Sequence, residues 1–403
     1  MSSIAKRPGG RWRARYRDQQ DREHSKHFTR KVDAQRWLDE VTTSVVTGQY
    51  VDPKAGRVRV REYAETWRAA QVHRPTTRAH IETMLRRHVY PTFGDRELAT
   101  ILPGDIQAWV AGLSMTLSPA TVGVVHGIMS AVLKAAVGDR RVATNPCTGT
   151  KLPRRTPSRV TPLALEVVKS VTDATPEGWR AAVVLAASTG MRQGEALGLT
   201  LDRIDFLRRT VTVDRQLITI AGVPPYLGPP KTAASHRTIP LPQFAVEALA
   251  EHVRLHNPEP VVVAWATPER KIENYKAALV FTDNGHPWSR QNFGRAWRAA
   301  TKGASNCPKH RKLERHQYAP CVCLVADFHE LRHFYASLLI RHGESVKTVQ
   351  ARLGHASAAE TLDTYSHLWP DSDDRTREAI DTAFGGTVAV TSPQILADFL
   401  RTK

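Results

Sequence analysis

At 403 residues the chain exceeds what one small core organises, so two or three domains are expected, and 57 Lys plus Arg against 39 Asp plus Glu give it a formal net charge of +18. Such an excess suits a polyanion, because each phosphate neutralised releases condensed counterions; ribosomal and membrane-surface proteins share the trait, so charge narrows the class without settling it. Four cysteines, Cys147, Cys307, Cys321 and Cys323, are too few for a disulfide scaffold, no apolar segment follows the basic N-terminus, and the apolar run 181–187 is too short to span a bilayer; a soluble protein of a reducing, cytoplasmic compartment is expected, with no membrane partner.

Residues 9–31 alternate aromatic and basic side chains around the polar turn QQDRE, which predicts a small antiparallel sheet carrying Trp12, Arg13, Arg15 and Arg17. Such strands fit a DNA groove; an exposed hairpin solvated by its own charges is the alternative. Apolar residues at helical spacing follow over 32–46, and 48–57, with Pro53 and Gly56, reads as a linker. Over 58–142 the pattern is helical: Pro75-Thr76-Thr77 opens a segment that Pro91-Thr92-Phe93-Gly94 closes, Pro103 starts another, and Ser118-Pro119-Ala120 begins a fourth. Arg74, Arg78, Arg86, Arg87 and Lys134 make either a DNA-facing surface or the solvated side of these helices. A proline-containing stretch, 145–158, carries Lys151, Arg154 and Arg155, suited to crossing a phosphate backbone or to serving as a plain tether.

From Val160 onward helices and strands mix. Helices are expected over 162–173, 177–188 and Gln243–His256, strands over 211–214, 217–220 and 236–241, and a last helical block from Asp327 past Ile380. The fold class is therefore multidomain, mainly α with small antiparallel sheets (α+β). The divisions fall at 1–52, 57–144, a basic linker 145–159, a large domain 160–385, and a tail 386–403 apolar enough to pack on its own domain or on a neighbour.

Chemistry-bearing residues cluster in the large domain. In Thr189-Gly190-Met191-Arg192-Gln193-Gly194-Glu195 the glycine makes a turn, and Arg192 and Glu195 lie three apart on one face of the next helix, which alone describes an ordinary ion pair. In Phe328-His329-Glu330-Leu331-Arg332-His333, His329 and Arg332 point the same way. A helix stopped by Gly354 precedes His355, and Ser357 with Glu360 has capping-box spacing at the start of the helix bearing Tyr365.

The ordered set Arg192, Lys231, His329-x-x-Arg332, Leu353-Gly354-His355 and Tyr365 resembles the catalytic signature of tyrosine recombinases, the phage integrase family, over about 160–368. The helical block before it is similar, more loosely, to that family's SAM-like core-binding domain, and the N-terminal sheet to the arm-binding domain of integrases of phages and integrative elements. The resemblance implies a site-specific recombinase that integrates or excises a mobile element through a 3′-phosphotyrosine bond. Arg192 and Arg332 would clamp the scissile phosphate, Tyr365 would attack it, Lys231 in Gly228-Pro-Pro-Lys-Thr would protonate the leaving 5′-oxygen, and Glu195 would support Arg192. Guanidinium forks suit the charge gathering on non-bridging oxygens, and His329 and His355 add hydrogen bonds or carry protons. A phenol of pKa about 10 needs a neighbouring proton acceptor as well. Bond energy is conserved in the phosphotyrosine, so no cofactor, ATP or metal is required. The partners implied are double-stranded DNA at core and arm sites, held by Arg13, Arg15, Arg17, Arg78, Arg154 and Arg155 among others, three further protomers in a homotetramer, and accessory DNA-bending or directionality proteins, all in a bacterial cytoplasm.

Two other patterns compete. His329-Glu330-Leu331-Arg332-His333 spells the H-E-x-x-H of zinc proteases, with Glu344 or Glu360 as a third ligand, but that reading leaves Arg192, Lys231, His355, Tyr365 and the charge without a role. Cys307, His310, Cys321 and Cys323 in a basic insertion offer a structural zinc site, with free surface thiols as the plainer reading, and Cys147 reads as a small linker or core residue. A type IB topoisomerase shares the chemistry without needing an arm reader, and a catalytically silent DNA-binding protein of this fold has no need of the intact set.

Overall fold

The computed structural model describes residues 2–17, 21, 23–46, 55–155, 159–266, 272–304, 327–369 and 373–384. The chain divides into two units, Met1–Pro157 and Ser158–Lys403. The four residues of the proposed zinc site, Cys307, His310, Cys321 and Cys323, and the tail 386–403 lie outside the described residues.

Alternation along Trp12–Arg17 builds the first element. Trp12–Arg17 is the middle strand of an antiparallel sheet, between Ser3–Lys6 and Glu23–Phe28. Side chains on a strand point alternately to opposite faces: Ala14 and Tyr16 are buried, whereas Arg15 and Arg17 are exposed. The helix Lys31–Val46 covers the apolar face, with Trp37 against Tyr16 and Phe28 at ring-centroid distances of 5.5 and 5.6 Å.

The following helices are Val60–Ala70, Pro75–Met84, Tyr90–Phe93, Pro103–Ser114 and Pro119–Gly138. Pro75, Pro103 and Pro119 stand in the first turn of three of them, where the missing N–H costs nothing. Pro91-Thr92-Phe93-Gly94 closes the segment that Pro75 opens, as the sequence indicates, with Gly94 as the C-cap. The chain passes through a π turn, Leu85–Val89, in which the Tyr90 N–H reaches back to the Leu85 carbonyl, and the helix continues to Phe93; a wider turn accommodates a residue that cannot donate and whose ring crowds the preceding turn. Pro119–Gly138 is long and apolar enough to cross a membrane by length and composition, but Val122, Val125, Met129, Val132, Leu133 and Ala136 face this unit's own core. The stretch after it is docked: Gln107 exchanges hydrogen bonds of 3.1 and 2.9 Å with the Lys151 backbone, Asn145 donates to the Ser130 carbonyl at 3.1 Å, and Cys147 is buried in the core.

In the second unit, the helices Leu165–Ala174 and Glu177–Thr189 and the short helix Gln193–Leu197 precede two sheets. One has the antiparallel order Ile204–Asp205, Thr210–Val213, Arg237–Pro240, with buried Val211 opposite buried Ile239. The other has the order Ile272–Ala278, Pro260–Ala266, Val223–Gly228, Gln216–Ile220. Gln243–His256 packs on Glu177–Thr189 and Arg290–Ala304 on Leu165–Ala174, and the helices Glu330–Arg341, Val346–Leu353, Ala358–Tyr365 and Asp373–Phe384 complete the unit. A main apolar core joins helices and sheets, while Tyr335, Ala336, Ile340, Val349, Leu353 and Tyr365 form a separate cluster beneath the last helices.

Candidate active site

Two left-handed glycines and one buried arginine set the geometry. Gly190 ends the helix Glu177–Thr189 at φ 64°, where a Cβ would stand 2.5 Å from the Tyr335 ring. Gly354 ends Val346–Leu353 at φ 67°, where a Cβ would meet the Ala234 carbonyl at 3.1 Å. Glycine alone takes these conformations without steric cost. Arg332, on Glu330–Arg341, fastens the two turns together: its Nη1 donates to the Gly190 carbonyl at 2.8 Å and its Nη2 to the Leu353 carbonyl at 2.7 Å. The residue is 2% exposed. Burial, followed by the nearby charge of Arg192, lowers its guanidinium to about 9, still protonated at neutral pH.

Arg192 caps the helix Gln193–Leu197. Its backbone N–H donates to Glu195 Oε2 and its Nη1 to Glu195 Oε1, both at 2.9 Å. Glu195 is buried, unlike a surface ion pair, and accepts a third bond at 2.8 Å from Nη2 of Arg237. Burial alone would raise the Glu195 carboxyl, but the Arg237 guanidinium, and Arg192 behind it, hold it below the ordinary carboxylate value. The sequence alone does not single out Arg237. Its side chain is 5% exposed and also donates to the Arg352 carbonyl at 2.8 Å, tying the Arg192 turn to the segment that leads into His355. The only sequence signal was its place in a short strand.

His355 Nδ1 is 2.8 Å from the Thr361 hydroxyl and Nε2 is 3.8 Å from a Glu360 carboxylate oxygen. Ser357 accepts from the Glu360 N–H at 3.3 Å, and the Glu360 carboxylate returns to the Ala356 N–H at 3.2 Å, which starts the helix Ala358–Tyr365 where the spacing indicated. Tyr365 closes that helix, 1% exposed, its ring parallel to that of His355 within 11° at 6.4 Å. Its hydroxyl meets His333 Nδ1 at 2.8 Å. Burial raises the phenol to about 12 and lowers the His333 and His355 imidazoles to about 4 each.

Arg192, Glu195, Arg332, His355 and Tyr365 thus meet in one connected set of contacts. His329 stands at its edge, exposed, with its ring 4.9 Å from that of His333. Lys231 is exposed in the turn between Val223–Gly228 and Ala233–Ser235, three residues before the Ala234 carbonyl that packs on Gly354. The zinc-protease pattern gains no support: His333 faces the phenol, and among the described residues no three His, Cys, Asp or Glu side chains converge as metal ligands would. Of the basic residues assigned to DNA, Arg15 bonds Ser3 at 2.7 Å, Arg17 pairs with Asp21 at 2.8 Å, and Arg13 Nε is buried without a hydrogen-bond partner. Arg78 and Arg154 are exposed, and exposed Arg155 reaches the Ala120 carbonyl at 3.5 Å.

Comparison with known proteins bears on the chain's family and fold. The profile of the Phage integrase family matches residues 160–371, more than half of the chain. Those of the Phage integrase N-terminal domain and the Phage integrase central domain match 2–47 and 58–152. A putative prophage phiRv2 integrase of Mycobacterium tuberculosis is 27% identical over 371 residues, covering 89% of each chain, and an integrase of Mycobacterium phage D29 is 24% identical over 82% of this chain and 83% of its own. In fold, the chain is similar to the Tn1549 transposon integrase in complex with circular intermediate DNA (TM-score 0.63, 21% identity, 81% of this chain and 100% of the other). It is similar also to a lambda integrase dimer bound to a COC′ core site (TM-score 0.55, 17% identity, 92% and 95%).

Proposed function

This chain belongs to the phage integrase family and is a site-specific tyrosine recombinase, and we propose that it cuts and rejoins double-stranded DNA through a 3′-phosphotyrosine bond to Tyr365, integrating or excising a mobile element in a bacterial cytoplasm. The observation that carries the reading is the fork of Arg332, whose two arms join the turn preceding Arg192 to the turn preceding His355, on the helix that also supports the Tyr365 hydroxyl through His333.

In the proposed reaction the Tyr365 oxygen attacks phosphorus in line while Arg192 and Arg332 gather the charge on the non-bridging oxygens, the term that usually dominates such catalysis. Lys231 protonates the departing 5′-oxygen, and His329 and His355 donate hydrogen bonds to the phosphate. Glu195 and Arg237 hold Arg192 in place. A 5′-hydroxyl from the partner duplex then attacks the phosphotyrosine and frees Tyr365. Because Tyr365 and Arg332 are covered in the DNA-free chain, the cluster must open as the phosphate enters, which keeps the nucleophile silent off DNA.

The same reading gives the N-terminal sheet to arm sites, through Arg13, Arg15 and Arg17, and the helical unit to the core site, through Arg78, Arg154 and Arg155. A lambda integrase tetramer of similar fold is bound to a Holliday junction (TM-score 0.53), and four protomers on two duplexes are proposed here, with accessory bending or directionality proteins. The test is a nicked suicide duplex carrying the attachment core of the chain's own element. The parent protein forms a covalent adduct on a denaturing gel and Tyr365→Phe forms none; an undiminished adduct in that variant contradicts the reading.

A further inference from the structure

We infer that His333 is the proton acceptor of the nucleophile, taking the phenolic proton of Tyr365 as the strand is cut and returning it as the strand is rejoined. The inference rests on the reading of Tyr365 as nucleophile and adds a catalytic residue to it. His333 is the second histidine of the H-E-x-x-H pattern, for which the zinc reading has no use here.

Geometry selects it. His333 Nδ1 lies 2.8 Å from the Tyr365 oxygen, within the range a general base requires. The neighbouring candidates point elsewhere: Nδ1 of His355 is engaged by Thr361 at 2.8 Å and its Nε2 faces Glu360 at 3.8 Å, while Lys231 lies in an exposed turn. His333 directly follows Arg332 on the helix Glu330–Arg341, so one turn of helix delivers both the phosphate clamp and the acceptor, and their spacing is fixed by the backbone. With its proton on Nε2, the neutral imidazole presents the Nδ1 lone pair to the phenol. Behind it the His329 ring stands edge-on at 4.9 Å.

The step balances. The phenolic O–H bond breaks and the proton passes to Nδ1, the oxygen–phosphorus bond forms, and the P–O5′ bond breaks, its oxygen taking a proton from Lys231. In ligation the incoming 5′-hydroxyl gives its proton to the Lys231 amine left neutral by cleavage and displaces the Tyr365 oxygen, which recovers its own from the His333 imidazolium. In the DNA-free cluster burial sets the phenol at about 12 and His333 at about 4, so transfer is strongly uphill. A bound phosphate stabilises the imidazolium and the arginines stabilise the developing phenolate, so the base is activated by the substrate's own charge.

The test uses the full chain on the nicked suicide duplex, with His333→Ala and the space-filling His333→Gln, each first shown to shift that duplex in a gel at the parent's concentration. Both variants are expected to cleave roughly 10²- to 10⁴-fold more slowly, the usual contribution of a positioned base. Incorporating a trifluorinated tyrosine at position 365, whose phenol ionises more readily, is expected to recover at least about tenfold in His333→Ala while changing the parent little. A duplex with a sulfur leaving group at the 5′ position is expected to rescue Lys231→Ala and not His333→Ala. Cleavage by both His333 variants within threefold of the parent, or an equal fluorotyrosine effect in parent and variant, overturns the inference. An adduct persisting in Tyr365→Phe in the same assay overturns instead the reading beneath it.

Discussion

Replacing Glu195 with alanine removes the carboxylate that Arg192 and Arg237 share and leaves two guanidinium groups facing each other across a buried gap. Three hydrogen bonds of 2.8–2.9 Å end on that carboxylate, and its side chain and that of Arg237 are 2% and 5% exposed. Removing one partner of a buried ion pair typically costs about 3–5 kcal/mol, chiefly because the other charge stays in the interior without compensation. For a unit of this size, each kcal/mol lowers the melting temperature by about 2–4 °C, so a fall of roughly 6–20 °C is expected in calorimetry. Replacing both residues, as Glu195→Leu with Arg237→Met, is expected to cost much less than the two single changes summed, since no buried charge is then stranded and the Arg192 guanidinium, which also loses its carboxylate, is 31% exposed. Glu195→Gln keeps the shape and part of the hydrogen bonding; it is expected to fold, to bind DNA as the parent does, and to cleave more slowly because Arg192 loses its brace. The carboxyl lies below its unfolded value in the folded chain, so its contribution is complete above that unfolded value and is lost only as pH falls through the lower folded one. A melting temperature within 2 °C of the parent for Glu195→Ala, or additive losses in the double replacement, would refute the reasoning.

Arg332→Ala is expected to lower the cleavage rate by roughly 10²- to 10³-fold, the usual cost of losing one donor to transition-state charge, with gel-shift affinity largely kept; parallel losses of both would contradict its assignment to the phosphate. Gly354→Ala puts a Cβ at φ 67° and 3.1 Å from the Ala234 carbonyl, so a stability loss of about 1–2 kcal/mol is expected from denaturant titration. Burial holds His333 and His355 at about 4 against an ordinary 6.5, so the unfolded chain binds protons that the folded one refuses. Stability of this unit should be complete above pH 6.5 and decline from there toward pH 4; His355→Asn should flatten that decline in urea titrations at stepped pH, and an unaltered slope would rule it out.

Local rules made much of this legible. The Ser118-Pro119 helix start, the glycine stops at 190 and 354, and the Ser357–Glu360 cap all reappear as backbone geometry, because each is decided within four residues. What escaped depends on distant packing. Val223–Gly228 was not readable as a strand because Pro224 and Pro225 cannot donate to a ladder, and they sit where its pairing with Gln216–Ile220 slips register. The sequence likewise assigns no element to Pro260–Ala266, Ile272–Ala278 or Arg290–Ala304. Arg237 looked like any strand arginine until folding placed it beside Glu195, 42 residues away. His333 and Arg332 share one helical turn, yet their partners at Tyr365, Gly190 and Leu353 are separated from them by 32, 142 and 21 residues, beyond any periodicity. The i, i+4 histidine pair therefore resembled a metal motif on spacing alone, and only the phenol opposite His333 distinguishes the two.

The most direct test is to trap the DNA adduct, digest it with protease, and locate the nucleotide-bearing peptide by mass spectrometry. A 3′-phosphoryl link on Tyr365 is expected; a 5′ link, or attachment to any other residue, would contradict the assignment of this phenol as the group that attacks DNA.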